Sequence, residues 1–279
     1  MSAGASPGAS PYDLATLEHD QPDWHGPPLR TILLCTQPRS GSTLLGEALH
    51  FAGGLGCPLE YLHRGFRPSF ERRWKTQGID QLVAAVHRHR TGPNGVLGVK
   101  LFWRDVEEIA EECVPGRFPA LRAWPEDTPA ETYRALWEVV GGYFPNPSFI
   151  LLERLDRVRL AASALAAMRS GRWRLILGAE MPATTEPDYD FERMAAQLRL
   201  AEYAHHHWGR LFDAISARPW RVTYEALDRD YAGTVGALLA ALGSSAAVPP
   251  LRLQRQSNAT TEAFVLHYLR DSQARGRAQ

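Results

Sequence analysis

The chain has 279 residues, 44% of them hydrophobic, and its 31 Lys and Arg residues balance its 31 Asp and Glu residues. A chain of this length can bury a sizeable core, as one large domain or two small ones. The formal charge of zero excludes the global basic field that is typical of proteins that bind nucleic acid or acidic membranes. Three cysteines without a CxxC pair predict neither a disulfide framework nor a zinc site. No apolar run spans a membrane and no signal peptide is apparent, so we expect a cytoplasmic protein.

Residues 1–28 begin with a Gly/Ala/Ser/Pro run and stay polar, which predicts a tail that is disordered or wraps the surface. From residue 29 to 279, short apolar runs alternate with helical periodicity. The predicted strands are Thr31–Cys35, Gly95–Phe102, Ser148–Glu153 and Trp220–Tyr224. The predicted helices are Ser42 to about His50, Ile79–His89, Asp156–Arg169, a long helix from Met194, Leu227–Leu242 and the second half of Leu251–Arg270, with a lid-length loop at Gly178–Tyr189. This alternation predicts a single α/β domain with a central parallel sheet flanked by helices.

The first strand leads directly into a turn of small residues and then into a helix. Such a turn is a potential anion site, because the first N–H groups of a helix have no intrahelical acceptor and the helix dipole adds positive potential. Gly41 allows close approach of an oxygen, and the hydroxyls of Ser42 and Thr43 can donate to it. Arg39 supplies a full positive charge. The residues expected to contact the anion are Arg39, Ser40, Gly41, Ser42 and Thr43.

The turn does not match the phosphate loops of the large nucleotide-binding families. A P-loop kinase or NTPase would read GxxxxGK[ST], but this chain lacks the first glycine and places Arg39 before the turn. A dinucleotide-binding GxGxxG is also missing from this stretch. The turn therefore suits a phosphate or phosphosulfate held without Mg²⁺-triphosphate geometry. A P-loop kinase-like phosphotransferase and a non-catalytic nucleotide-binding protein are the alternatives.

The stretch QPRSGSTLLGEAL, residues 37–49, resembles the phosphosulfate-binding loop of bacterial sulfotransferases of the trehalose sulfotransferase type. The resemblance implies a P-loop-like turn, a metal-free sulfotransferase and the donor 3′-phosphoadenosine 5′-phosphosulfate (PAPS), with Arg39 on the phosphosulfate. It also implies that the acceptor is a hydroxyl of a carbohydrate or glycolipid, a small molecule or glycan rather than a nucleic acid. A homodimer is compatible with these residues, which fix no oligomeric state.

Transfer of a sulfuryl group to a hydroxyl needs a base for the hydroxyl proton. Glu60 is the leading candidate, because Gly56–Tyr61 resembles the family's glycine-x-proline-x-Glu-aromatic stretch, whose Glu is the proposed base. His63 is the rival, since a neutral imidazole is suited to accept a proton near neutral pH. The sequence leaves the choice between these two residues open.

Arg154 follows the third strand, at the end where ligands bind in open parallel sheets. Sulfotransferases hold the donor's 3′-phosphate with a strand-end Arg and a Ser eight or nine residues later, so the resemblance implies this role for Arg154 and Ser163. A surface ion pair with Asp156 is the alternative for Arg154. The chain departs from the family at Leu155, where a proline is usual.

Lys100 and Arg255 complete the candidate site residues. Lys100 lies in an apolar strand that resembles the family's Gly-x-Lys-Leu-x-Trp run, and is expected in the sulfuryl or acceptor region. The alternative for Lys100 is a structural ion pair with Glu107 or Glu108, because a lone charge in an apolar strand is costly. Arg255, in an Arg-Gln pair that resembles the family, is a candidate second phosphate ligand, with Arg252 as an alternative on charge alone.

Two conspicuous sequence features are not expected to bind ligands. The three histidines His205–His207 lie on a predicted helix, where successive side chains point about 100° apart and cannot converge on one metal ion. The tryptophans Trp103, Trp173 and Trp208 are expected in the core.

Overall fold

The computed structural model describes residues 12–122, 125–171, 173–176, 188–254 and 259–276. Its centre is a sheet of four parallel strands, all close to their predicted ends. The strands are β1 (Arg30–Thr36), β2 (Val96–Phe102), β3 (Pro147–Glu153) and β4 (Trp220–Thr223). The predicted α/β class with a central parallel sheet is therefore confirmed.

The strand order β2-β1-β3-β4 places β1 inside the sheet. The chain leaves β1 for β2 on one side and later returns to β3 on the other side. This reversal is a topological switch point, where ligands bind beyond the carboxyl ends of the strands. The register aligns Thr36 at the end of β1 with Phe102, and Cys35 with Leu151. The segments that follow β1, β2 and β3 therefore start from the same edge of the sheet.

Helices flank both faces of this sheet, as predicted. Alternate residues of β1 point to opposite faces, as the two-residue period of a strand requires. Leu33 and Cys35 belong to one apolar core, and Ile32 and Leu34 belong to another. Within the described ranges, every helix is too short or too polar to cross a membrane. Along the described residues, whether or not they pack on the sheet, the helices are α1 (Ser42–Ala52), α2 (Arg67–Trp74), α3 (Gly78–Arg90), α4 (Trp103–Cys113), α5 (Ala130–Val140), α6 (Arg157–Ser170), α7 (Phe191–Ala214), α8 (Tyr224–Arg229), α9 (Tyr231–Ala241) and α10 (Ala259–Gly276).

The described residues group into two compact units. The larger unit, Leu14–Leu155 with Ala201–Pro249, contains the sheet and both cores described above. The smaller unit has an apolar core of its own. The expected division of the chain into a tail, residues 1–28, and a domain, residues 29–279, stays a prediction. The smaller unit consists of the described parts of Met1–Asp13, Asp156–Leu200 and Pro250–Gln279.

The single helix predicted over Leu227–Leu242 is wrong, because this stretch belongs to two helices, α8 and α9. Asp230 separates them. Its carboxylate accepts a hydrogen bond from the Gly233 N–H at 2.8 Å and so caps the start of α9. The apolar spacing continues through both helices, so the spacing alone predicts one helix and does not reveal the capping residue that separates them.

Candidate functional site

The turn between β1 and α1 is the candidate anion site. Arg39 at φ 70° and Gly41 at φ 83° both have a left-handed backbone, and α1 begins immediately afterwards at Ser42. The Ser40 hydroxyl and the side-chain carbonyl oxygen of Gln37 are buried there, and neither has a hydrogen-bond partner within the described part of the chain. Because a buried polar group without a partner costs stability, these atoms mark a place for a polar ligand.

Two arginines meet at this turn. Arg154 directly follows β3, is buried, and donates from Nη1 to the carbonyl oxygen of Arg39 at 3.3 Å. Burial, followed by the charge of Arg154, lowers the pKa of the Arg39 guanidinium from 12.5 to about 10. The two guanidiniums repel each other, and both lie beside the positive end of the α1 dipole. A multiply charged anion bound between them would offset this repulsion.

Tyr224 is a residue of this site that sequence reasoning missed. It opens α8 directly after β4, and the guanidinium carbon of Arg154 lies 4.5 Å from its ring centroid, within range of a cation–π interaction. The ring also covers Gly41, since a Cβ added to Gly41 would lie 2.9 Å from Tyr224 Cδ2. The signal was available in the sequence, because Tyr224 follows a parallel strand at the end where binding sites assemble.

The segment that carries Glu60 runs alongside β2. Leu59 forms a parallel bridge with Val99, and its carbonyl oxygen accepts a hydrogen bond from the Lys100 N–H at 3.0 Å. Gly56 packs directly on Gly98 at the start of this segment. A Cβ added to Gly56 would lie 2.2 Å from the Gly98 backbone nitrogen, and one added to Gly98 would lie 2.9 Å from the Pro58 ring. Backbone contacts with a buried strand therefore fix where Glu60 lies.

Lys100 is bound to Glu60, its Nζ lying 2.8 Å from Glu60 Oε1. The expected alternative, an ion pair with Glu107 or Glu108, is wrong. Glu107 instead accepts a hydrogen bond from Trp103 Nε1 at 3.0 Å. The Lys100 side chain is almost fully buried and the Glu60 side chain retains 16% exposure, so Glu60 is the partner that can still reach a ligand.

His63 is the less suitable of the two candidate bases. Its Nδ1 accepts a hydrogen bond from the Gly65 N–H at 3.1 Å, so the neutral imidazole carries its proton on Nε2. Burial also lowers the pKa of His63 below its ordinary value. Neither ring nitrogen is therefore ready to take a proton from an acceptor, which favours Glu60.

The buried carboxyl of Asp105 makes the stability of the protein depend on pH. It is fully buried at the start of α4, where it accepts a hydrogen bond from the Phe102 N–H at 2.9 Å. Burial raises the pKa of Asp105 from 3.8 to about 8. In the unfolded chain this carboxyl releases its proton at about pH 4. Protonated Asp105 therefore contributes its full stabilisation below that pH, and this stabilisation is lost as the pH rises to about 8.

Replacing Asp105 with asparagine keeps an acceptor for Phe102 and removes the titration. We expect Asp105→Asn to flatten the decline in the free energy of unfolding between about pH 5 and pH 8, measured by urea denaturation at several pH values. Equal declines in the variant and the wild type would contradict this assignment.

Four further sequence candidates have different outcomes. Ser163 is buried in α6, within the smaller unit, and its phosphate-binding role stays a prediction. Arg255 and most of the loop Gly178–Tyr189 lie outside the described residues, so both expectations stay predictions. Arg252 lies near Tyr12, its guanidinium carbon 5.9 Å from the ring centroid.

The consecutive histidines diverge, as predicted. His205 Nδ1 lies 2.5 Å from Glu153 Oε1, whereas His207 Nδ1 lies 2.7 Å from the Tyr133 hydroxyl. Over the ranges that the structure describes, no three His, Cys, Asp or Glu side chains are placed to hold a metal ion.

Known proteins resemble this chain over most of its length. The model of the Stf0 sulphotransferase family matches residues 31–271. The chain is 28% identical over 276 residues to the trehalose 2-sulfotransferase of Mycolicibacterium smegmatis, covering 89% of this chain and 97% of the relative. It is 27% identical over 271 residues to the trehalose 2-sulfotransferase of Mycobacterium tuberculosis, covering 86% and 94%.

Proposed function

The chain belongs to the Stf0 sulphotransferase family, and from this premise we propose that it transfers a sulfuryl group from PAPS to a hydroxyl of a carbohydrate or glycolipid. The hydroxyl oxygen bonds to sulfur, the bond between sulfur and the 5′-phosphate oxygen breaks, and the hydroxyl proton leaves to a base. The products are a sulfate ester and adenosine 3′,5′-bisphosphate. The observation that carries the proposal is the pair of neighbouring guanidiniums, Arg39 and Arg154, beside the N-terminus of α1.

On the donor side, the 5′-phosphosulfate would lie on the turn that opens α1. Arg39 would neutralise charge on the leaving oxygen, and the hydroxyls of Ser40, Ser42 and Thr43 would donate to the phosphosulfate together with the helix N–H groups. Arg154 would hold the 3′-phosphate. These groups supply the positive charge that a metal ion supplies in many phosphoryl transfers, so the proposal needs no metal ion.

On the acceptor side, Glu60 would take the hydroxyl proton. Its carboxylate is partly exposed, and its contact with Lys100 Nζ holds one oxygen in a fixed position. An oriented carboxylate needs no rearrangement at the moment of reaction, which is the condition for effective general-base catalysis. Lys100 would also add positive potential next to the sulfuryl group.

The acceptor that we would test first is trehalose. Both named relatives are trehalose 2-sulfotransferases, and each is matched over nearly its whole length. A disaccharide offers several hydroxyls of similar acidity, so positioning opposite Glu60 would select the one that reacts.

Adenosine 3′,5′-bisphosphate is expected to stabilise the protein, because it carries both phosphates that the two arginines would hold. At about a hundred times its dissociation constant the gain would be about 2.7 kcal/mol, measured as a rise in Tm without divalent metal. ATP with Mg²⁺ is the comparison ligand. Stabilisation by ATP and Mg²⁺ alone would favour a P-loop kinase. Binding of the bisphosphate without sulfated product from trehalose and a wider acceptor panel would favour a non-catalytic nucleotide-binding protein.

The variant Arg39→Gly tests whether this arginine is the donor ligand. Glycine adopts the observed φ of 70° without strain and removes the repulsion with Arg154, so we expect the Tm of the unliganded protein to stay within about 4 °C of wild type. The stabilisation by the bisphosphate should be lost. Arg218→Ala, which removes an exposed arginine, is the matched control and should keep it. Equal nucleotide stabilisation of wild type and Arg39→Gly would end the proposed role of Arg39.

A further inference from the structure

Arg90, at the last position of α3, is a charged side chain with 0% exposure. A buried guanidinium is costly unless close partners satisfy its charge and its donors. Both Nη atoms of Arg90 have such partners, and Nε has none among the described residues. The mechanism proposed above gives Arg90 no part. Its surroundings show which parts of the protein it holds together.

The first set of partners is the N-terminal strap, which we define as Leu14–Asp20. Nη1 of Arg90 donates to the carbonyl oxygen of Leu14 at 2.9 Å, and Nη2 donates to that of Thr16 at 3.1 Å. Nη2 also lies 2.9 Å from Asp20 Oδ1, so the charge has a carboxylate partner. One buried cation thus binds both ends of the strap.

The second set of partners is aromatic. The guanidinium carbon of Arg90 lies 5.7 Å from the ring centroid of Tyr61, 5.9 Å from that of Phe70 and 5.7 Å from that of Trp74. Tyr61 is fully buried and donates from its hydroxyl to the carbonyl oxygen of Cys57 at 2.7 Å. The cage around Arg90 therefore includes a residue that braces the segment carrying the candidate base.

We propose that Arg90 is a positioning residue for the transfer reaction. It clamps the N-terminal strap against Tyr61 and thereby holds Gly56–Leu62, including Glu60, on β2. The proposal rests on the proposed function for the role of Glu60, but the physical link between Arg90 and this segment can be measured without activity. The reporter is the Lys100 amide, which donates to Leu59 and so exchanges only when the segment leaves β2.

The experiment compares wild type with Arg90→Lys and Arg90→Met in the full-length protein. We expect the Lys100 amide to exchange about tenfold faster in Arg90→Met, with Arg90→Lys in between because one ammonium cannot serve all the acceptors. At saturating PAPS and trehalose, kcat should fall by about tenfold to a hundredfold, in the same order. The dissociation constant for adenosine 3′,5′-bisphosphate should not change, because the phosphate-binding turn makes none of these contacts.

Asp20→Asn removes the charge partner and leaves one side-chain oxygen to share between Arg90 and Trp74, whose Nε1 donates to Asp20 Oδ2 at 3.0 Å. It should speed Lys100 exchange in the same direction, and it serves as the test if Arg90→Met does not fold. Arg88→Ala is the matched control, since Arg88 holds an exposed contact with Asp23 just beyond the strap. It should release that contact and leave both Lys100 exchange and kcat as in wild type. Faster exchange of the strap with unchanged exchange at Lys100, or equal effects of Arg88→Ala and the Arg90 variants, would overturn the proposal. Absence of sulfated product from wild type with trehalose and with the wider acceptor panel would instead refute the proposed function, and the exchange rates would still decide whether Arg90 holds the segment on β2.

Discussion

Glu60→Gln is expected to lower kcat by about 10²–10⁴-fold, the usual cost of losing a general base. Glutamine has nearly the same shape as glutamate and still offers an oxygen to Lys100 Nζ, which lies 2.8 Å away in the wild type. The substitution therefore removes the proton acceptor and keeps the packing of the segment. The measurement is the initial rate of sulfated product at saturating PAPS and acceptor, with stabilisation by adenosine 3′,5′-bisphosphate as the test of an intact donor site.

The control for this prediction is His63→Gln. The imidazole already accepts a hydrogen bond at Nδ1 from Gly65, so its loss should cost far less than the loss of Glu60. If Glu60→Gln keeps the wild-type rate and His63→Gln does not, the base is His63. A Glu60 variant that has also lost nucleotide binding would point to a damaged fold rather than to a lost base.

The features that were predicted correctly are local in sequence. The four strands are apolar runs bounded by turns, and the turn that opens α1 lies within residues 37–43, so neighbouring residues alone specify them. The edge of the sheet at which Arg154 lies also follows from parallel pairing, because all parallel strands end on the same side.

The features that were missed depend on contacts distant in sequence. The partner of Lys100 is Glu60, 40 residues earlier, and backbone contacts such as the bridge between Leu59 and Val99 bring the two together. Trp103 and Trp208 are in the core as predicted, but Trp173 is 51% exposed. Trp173 lies beyond the end of α6 at Ser170, so it is not held on the buried face of that helix.

Gly56→Ala is the second substitution with a large expected effect. Gly56 has φ 75°, which disfavours any residue with a Cβ, and a Cβ at this position would lie 2.2 Å from the backbone nitrogen of Gly98 in the middle of β2. The strand is buried between β1 and the Gly56–Glu60 segment, so the segment must move instead. A shift of about 1 Å at Glu60 would lower kcat by about a hundredfold.

The appropriate control is Gly116→Ala, because Gly116 has a similar φ of 71° and, among the described residues other than its chain neighbours, no atom lies within 4 Å of an added Cβ. Both alanines carry the cost of a left-handed backbone, about 1–2 kcal/mol, and only the one at Gly56 collides with a strand. Urea denaturation should therefore show a larger loss of stability for Gly56→Ala, and only this variant should lose activity. If both variants lose the same stability and keep the same kcat, close packing on Gly98 is not what holds Glu60 in place. The position of the candidate base would then depend on its ion pair with Lys100 rather than on the backbone.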